Sequence, residues 1–312
     1  MFSALHQISK LHQAEGIPPS FTIYQHLHAI CQNSSRFAAA NQMTVKTTDE
    51  RLILVTNDDG IHAPGLEALV DAVRPLGRVL VVAPMEGQSG MSHAITIKNP
   101  LRLHKVKQDD SDPVTRYICN GTPVDCVKLA MNRLVDRKPD LLVSGINHGG
   151  NASASIVYSG TMAAAMEGCI NGIPSIGLSL LDISRDADFS VAQAFAKTVI
   201  LRCMEEGLPQ GVCLNVNVPA LPMKEMKGIR VCRQTRGLWK EEFDKRTDPM
   251  RRDYYWLTGV FHNEEPEAED TDEWALANRY VAVVPVKIDL TSYETLDRIR
   301  HWEALPLPMS DK

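Results

Sequence analysis

From Arg51 onward, continuous apolar runs alternate with stretches of helical period. Leu52-Ile53-Leu54-Val55 has no polar alternation, the pattern of a strand buried on both faces. Pro64 then opens a helix to about Leu76, with Leu66, Leu69, Val70 and Val73 on one stripe. Val79-Leu80-Val81-Val82 is a second buried strand, so residues 51–84 have the length and order of one β-α-β unit. Residues 96–117 alternate apolar and polar positions less regularly, which predicts antiparallel strands at an edge or over a site. The α/β rhythm then resumes: helix 123–134 and strand 141–143, helix 160–171 and strand 175–180, helix 189–206 and strand 214–218. The series predicts a doubly wound α/β layer with a mostly parallel sheet.

Past Pro219 the pattern changes. Ile229 to Cys232 forms a short strand of unassigned place in the sheet. Charged residues dominate 240–253, which predicts an extended C-terminal arm or exposed hairpin with Tyr254-Tyr255-Trp256-Leu257 as its apolar anchor. The acidic stretch 264–273 with Pro266 is expected as a solvated mobile loop. A final strand, 280–286, and a terminal helix, 293–302, follow, and there is no internal repeat. Residues 1–48 stand apart: His6, His12, His26 and His28 occur without matching carboxylates or cysteines, Arg36 is the only arginine, and Pro18-Pro19 interrupts any long helix. They are expected to be a dispensable N-terminal extension. Residues 49–220 are expected to form the catalytic core, and 221–312 to complete the same domain and mediate oligomerisation.

Composition narrows the function classes. A net charge of −5 over 312 residues argues against a basic surface that tracks a nucleic-acid polymer. No apolar run reaches membrane-spanning length, and the first residues lack a secretory pattern, so no membrane partner and a cytoplasmic location are expected. The seven cysteines are scattered without a Cys-x-x-Cys pair and are expected as buried thiols in a reducing compartment.

The candidate chemistry begins where the first strand ends, at Thr56-Asn57-Asp58-Asp59-Gly60. Ligands in open α/β sheets bind outside the carboxyl ends of the strands. Adjacent carboxylates repel one another unless a positive charge lies between them. The pentapeptide by itself fits a divalent-cation site and a polar turn equally well. Two further strand ends carry small polar residues and glycines: 86–93, with Ser89, and 144–151, with Asn147. Asp58, Asp59, Ser89 and Asn147 together would make an oxygen-only set suited to Mg²⁺ or Mn²⁺. Tyr158-Ser159-Gly160-Thr161 precedes an alanine-rich helix, where Ser159 is either an N-cap, a phosphate ligand with Thr161 and the helix N–H groups, or both. The Walker lysine and a Gly-x-Gly-x-x-Gly after a strand are lacking. His62 and His93 lie close by and are given no role.

These residues carry a resemblance. Asn57-Asp58-Asp59-Gly60, His62-Ala63-Pro64-Gly65, Val82-Ala83-Pro84, Ser89-Gly90, Asn120-Gly121-Thr122-Pro123, Ser144-Gly145-Ile146-Asn147, Tyr158-Ser159-Gly160-Thr161, Asn215-Val216-Asn217-Val218-Pro219 and Asp270-Thr271-Asp272 are similar to the motifs of the survival-protein SurE family of nucleotidases. The resemblance runs from about Arg51 into the C-terminal region. It implies a Rossmann-like core and one divalent metal ion per subunit, with Asp58, Asp59, Ser89 and Asn147 as ligands. Asn151, Ser159, Gly160 and Thr161 become the phosphate-binding set, and Asp58 and Asp59 the catalytic pair. It further implies a phosphomonoesterase acting on nucleoside 5′-monophosphates, with 3′-monophosphates and short polyphosphate as further substrates, and a homodimer or homotetramer that exchanges an arm at 221–262. The alternatives are a haloacid-dehalogenase-like phosphatase, whose Asp-x-Asp spacing is missing here, and a non-catalytic nucleotide-binding regulatory module.

Overall fold

The computed structural model describes residues 51–106, 112–240 and 243–305, all within one compact unit, Thr47–Lys312. The expectation for residues 1–48 therefore lies outside the described residues.

A nine-stranded sheet forms the centre. Its strands are β1 (Leu52–Thr56), β2 (Arg78–Pro84), β3 (Leu103–Lys105), β4 (Val114–Cys119), β5 (Leu141–His148), β6 (Ser175–Leu180), β7 (Val212–Val218), β8 (Gly228–Val231) and β13 (Tyr280–Lys287), in the order β3-β4-β2-β1-β5-β6-β7-β13-β8. From β4 through β7 every pairing is parallel. The apolar runs read from the sequence are these central strands: β1 is buried at every position. The irregular 96–117 stretch resolves into β3, antiparallel at the sheet edge, and β4, parallel to β2. The short strand at 229–232 finds its place as β8, at the opposite edge beside β13.

Helices cover both faces because βα crossovers of one hand place them there. On one face α1 (Pro64–Val73) and α4 (Ser190–Glu206) bury Leu66, Leu69, Val70, Ile200 and Val199 against Ile53, Val55, Val81 and Ile176. On the other, α2 (Pro123–Leu129) and α3 (Gly160–Ile170) pack Val127, Cys126 and Ala164 against Leu54, Val82 and Leu142. Both α2 and α3 carry side-chain caps: Thr122 forms a capping box with Asp125, and Ser159 Oγ accepts from Met162 N–H at 3.0 Å. A Cβ at Gly65 would stand 1.9 Å from the Ile146 carbonyl oxygen, so only glycine lets the first turn of α1 lie on β5.

Winding runs from β1 through β2 in one direction and from β5 through β6 in the other. The β1/β5 junction is thus the topological switch point, where a crevice opens at the carboxyl ends.

Two expectations change in the C-terminal part. Residues 237–263 form a long hairpin of two ladders, β9 (Gly237–Lys240) with β12 (Val260–Asn263) and β10 (Phe243–Thr247) with β11 (Asp253–Leu257). Tyr254 to Leu257 does not anchor it within this chain: all of β11 is exposed, because the hairpin projects beyond the sheet. The acidic stretch is a mostly exposed run of turns leading into a helix, and it is tied down by ion pairs. Arg233 pairs with Glu265 and Asp270, Arg236 pairs with Glu265, and Thr271 caps the short helix α5 (Asp272–Ala277). Arginines from a segment distant in sequence pair with two of its carboxylates, a pairing that local composition does not reveal. Six cysteines, Cys119, Cys126, Cys169, Cys203, Cys213 and Cys232, are free and buried. No helix among the described residues is long and apolar enough to cross a membrane.

Candidate active site

A cavity of about 580 Å³ opens at the switch point, lined by Asp58, Ser89, Gly90, Asn147, His148, Asn151, Ser155, Tyr158, Ser159, Trp239, Leu257, Thr258 and Gly259. Asp58, Ser89, Asn147, Asn151 and Ser159, expected at the site from sequence, share this one wall. Asp59, Gly160 and Thr161 are not among the lining residues: Gly160 and Thr161 contact Asp58, and half-buried Asp59 pairs with the His148 N–H.

Asp58 leaves the end of β1 almost fully buried. Its Oδ1 accepts the Thr161 hydroxyl at 2.5 Å, and the Thr161 backbone N–H also faces this carboxylate. The start of α3 therefore grips Asp58, as the positive end of a helix dipole favours. Gly160 makes the approach possible, since a Cβ there would lie 2.8 Å from Asp58 Cβ and Oδ2. Burial, and after it the charge of Asp59, pushes the Asp58 carboxyl up to about 6, against the lowering effect of Thr161. Asp59 is also raised by burial, partly offset by the His148 N–H that Asp59 Oδ2 accepts at 3.0 Å.

Asn147 sits near the end of β5, which continues through Ser144–His148 where the sequence pattern had ended the strand at Val143. Its Nδ2 donates to the carbonyls of His148 and Gly149, leaving Oδ1 as the atom it offers to the cavity. Ser89 lies on an irregular loop that is pinned at several points. Gln88 N–H donates to the Asp58 carbonyl at 2.7 Å, Ser92 Oγ to the Val157 carbonyl at 2.7 Å, and His93 Nε2 meets Glu167 Oε2 at 3.1 Å. Asn151 is held by residues that sequence reasoning did not single out for the site. Its N–H donates to Asn217 Oδ1, its Nδ2 to Ser179 Oγ, and its carbonyl accepts from Asn215 Nδ2. The signal for this network is Asn215-Val216-Asn217, two amides at strand period within an apolar run.

The wall suits a hard cation. Among the described residues no lysine or arginine lines it, so a phosphate entering beside Asp58 would meet a carboxylate with no cationic lining side chain among them to offset the repulsion. Asp58, Ser89 Oγ and Asn147 Oδ1 are oxygen donors, and no group of three or more His, Cys, Asp or Glu forms a metal cluster among the described residues. A divalent ion held by carboxylate, hydroxyl, amide and water oxygens fits such a set. Beneath it, Thr56 Oγ1, Asn57 Oδ1 and Ser144 Oγ are buried without hydrogen-bond partners, further oxygen atoms at the same strand ends.

The family model described as Survival protein SurE matches residues 53–241. The chain belongs to the SurE family. Among relatives, the 5′-nucleotidase SurE of Flavobacterium johnsoniae is 56% identical over 256 residues, covering 82% of this chain and 98% of the relative. That of Christiangramia forsetii is 55% identical over 251 residues, covering 80% and 96%. The crystal structure of the SurE protein from Aquifex aeolicus superposes with a TM-score of 0.70 at 39% identity, covering 81% of this chain and 99% of that one. Every lining residue up to Trp239 lies within the span of the SurE family model. Leu257, Thr258 and Gly259, contributed by the hairpin, lie beyond it.

Proposed function

We propose that this chain is a 5′-nucleotidase, a metal-dependent phosphomonoesterase that converts nucleoside monophosphates to nucleoside and phosphate. The observation that carries the reading is the convergence of Asp58, Ser89, Asn147 and Ser159 on one cavity wall, in a chain more than half identical to relatives named 5′-nucleotidase SurE.

In this reading Asp58, Asp59, Ser89 and Asn147 would hold one Mg²⁺ or Mn²⁺ per subunit, which when bound would supply Lewis-acid stabilisation of the phosphoryl charge. Ser159 and the N–H groups opening α3 orient the phosphoryl oxygens. Thr161 acts through Asp58, fixing its rotamer. The proton of the attacking water is assigned to Asp58, a reading supported by its place among the residues that line the cavity. Phosphorus gains a bond to that water oxygen as its bond to the ester oxygen breaks, and the ester oxygen takes a proton from solvent water so that the nucleoside leaves as an alcohol. Asn151 Nδ2 donates one hydrogen to Ser179 Oγ and keeps a second to offer to phosphate.

The same proposal includes 3′-monophosphates and short polyphosphate as further substrates, a homodimer or homotetramer built through the hairpin arm, and no polymeric nucleic-acid or membrane partner. A cytoplasmic location accords with the buried free thiols. Residues 1–48 are proposed as dispensable, so their deletion leaves phosphate release unchanged.

The test is a phosphate-release panel over nucleoside 5′- and 3′-monophosphates and polyphosphate, with Mg²⁺, Mn²⁺ or chelator. Turnover of monophosphates that chelator abolishes and Asp58→Asn or Asp59→Asn removes is the expected result. Saturable nucleotide binding with no phosphate released under any ion overturns it.

A further inference from the structure

The cavity is larger than a phosphate group requires, and its lining is of two kinds. Asp58, Ser89, Asn147 and Ser159 are polar, whereas Trp239, Leu257 and Tyr158 bring apolar or aromatic surface, beside Thr258 and Gly259. About 580 Å³ falls in the range of sites that enclose whole small molecules. The apolar end comes mainly from the hairpin: Trp239 from β9, and Leu257 to Gly259 from the step between β11 and β12. Trp239 is held in place by its own ladder, where it pairs with Phe261, their rings meeting edge to face at 5.9 Å between centroids. Trp239 is exposed, so its ring stays accessible to a ligand in the cavity that it lines.

From this arrangement we infer that Trp239 is a specificity-determining residue that stacks on the nucleobase, selecting nucleotides over base-free sugar phosphates. The inference rests on the nucleotidase reading above. Stacking on an aromatic face serves any base, because every base has a π surface, and a side chain already packed loses little freedom when it does so. The same position explains why the base of the hairpin lies over the site while its tip projects. β9 packs against the turn 153–158 that supplies Ser155 and Tyr158 to the cavity.

The experiment compares AMP with ribose 5-phosphate, which keeps the ester and sugar and lacks the base. In Trp239→Ala the ratio of kcat/KM for AMP to that for ribose 5-phosphate falls by about 5- to 150-fold, the loss expected for one base–aromatic stack, and Trp239→Phe restores most of it. Quenching of intrinsic fluorescence by adenosine, measured in chelator, is present in the wild type and greatly reduced in Trp239→Phe. An unchanged ratio in Trp239→Ala, whether both substrates keep their turnover or both lose it together, overturns the inference, since a purely structural tryptophan affects them alike. Should the wild type release no phosphate from any ester yet show the Trp239-dependent adenosine quench, the nucleotidase reading fails and the stacking platform stands. Absence of the quench in the wild type overturns the platform.

Discussion

The Thr161 hydroxyl donates to Asp58 Oδ1 across 2.5 Å, joining the first turn of α3 to the end of β1 over a sequence separation of 103 residues. A hydroxyl expected from sequence to bind phosphate donates here to the carboxylate that lines the cavity. Thr161→Val, nearly the same shape without the donor, is expected to lower metal-dependent phosphate release by about 10- to 100-fold, as loss of a group that orients a metal-binding carboxylate does. Thr161→Ser retains the donor and most of the rate. Equal rates in wild type and Thr161→Val would sink the positioning role.

Gly160 makes that contact possible. In Gly160→Ala the new Cβ meets Asp58 Cβ and Oδ2 at 2.8 Å, so the carboxylate must move. A fall in kcat on the order of 100-fold is expected, the usual consequence of misplacing a catalytic group by about an ångström. Circular dichroism should show the fold retained, and wild-type kcat in a folded Gly160→Ala protein would contradict the geometry.

Asp58 also sets a pH dependence for the metal-free protein. Its carboxyl is raised from 3.8 to about 6, chiefly by burial, so the folded state binds the proton more tightly than the unfolded chain. The stability this contributes is complete below the ordinary value of 3.8 and is lost as pH rises through about 6, on the order of 3 kcal/mol. In chelator, the Tm should therefore decline between pH 4 and pH 7 more steeply in wild type than in Asp58→Asn. At neutral pH the variant should be the more stable protein and should lose the Tm gain that Mn²⁺ gives the wild type. A Mn²⁺-dependent Tm gain that persists in Asp58→Asn would remove Asp58 from the ligand set.

Asp272 has a structural role beside the site. Buried, it accepts the N–H groups of Ser153 at 2.8 Å, Thr235 at 2.9 Å and Glu273 at 2.9 Å, and the Thr235 hydroxyl at 2.6 Å. It thereby ties the turn 153–158 to the base of the hairpin. Asp272→Ala leaves these donors unpaired and is expected to lose about 3 kcal/mol in urea unfolding, with a raised KM because Tyr158 and Trp239 are no longer held together. Stability within about 0.5 kcal/mol of wild type, the range of ordinary surface substitutions, would show the network to be dispensable.

How far the sequence was readable follows the range of the interactions involved. Val79 to Val82 and Leu141 to Val143 are buried on both faces, so their unbroken apolar character declares parallel strands directly. The sequence pattern ended β5 five residues early because Ser144 to His148 is polar and glycine-containing, the composition of a loop. Those residues are strand because neighbouring β6 pairs with them up to His148, through a register shift between Ser144 and Asn147. The 264–273 stretch looked like a solvated loop because its partners, Arg233 and Arg236, lie about 30 residues away in sequence.

By itself the sequence determined the alternation of elements, the strand ends at which Asp58, Ser89 and Asn147 emerge, and the family. Those are properties of local period and of motifs, which one segment carries within itself. The tertiary structure decided that Asp58 and not Asp59 faces the cavity, that Thr161 serves Asp58, that the asparagines of β7 hold Asn151, and that a tryptophan from a charged arm closes the apolar end. Each of these depends on two segments far apart in the chain meeting at one point. Only close packing around the switch point establishes such a meeting.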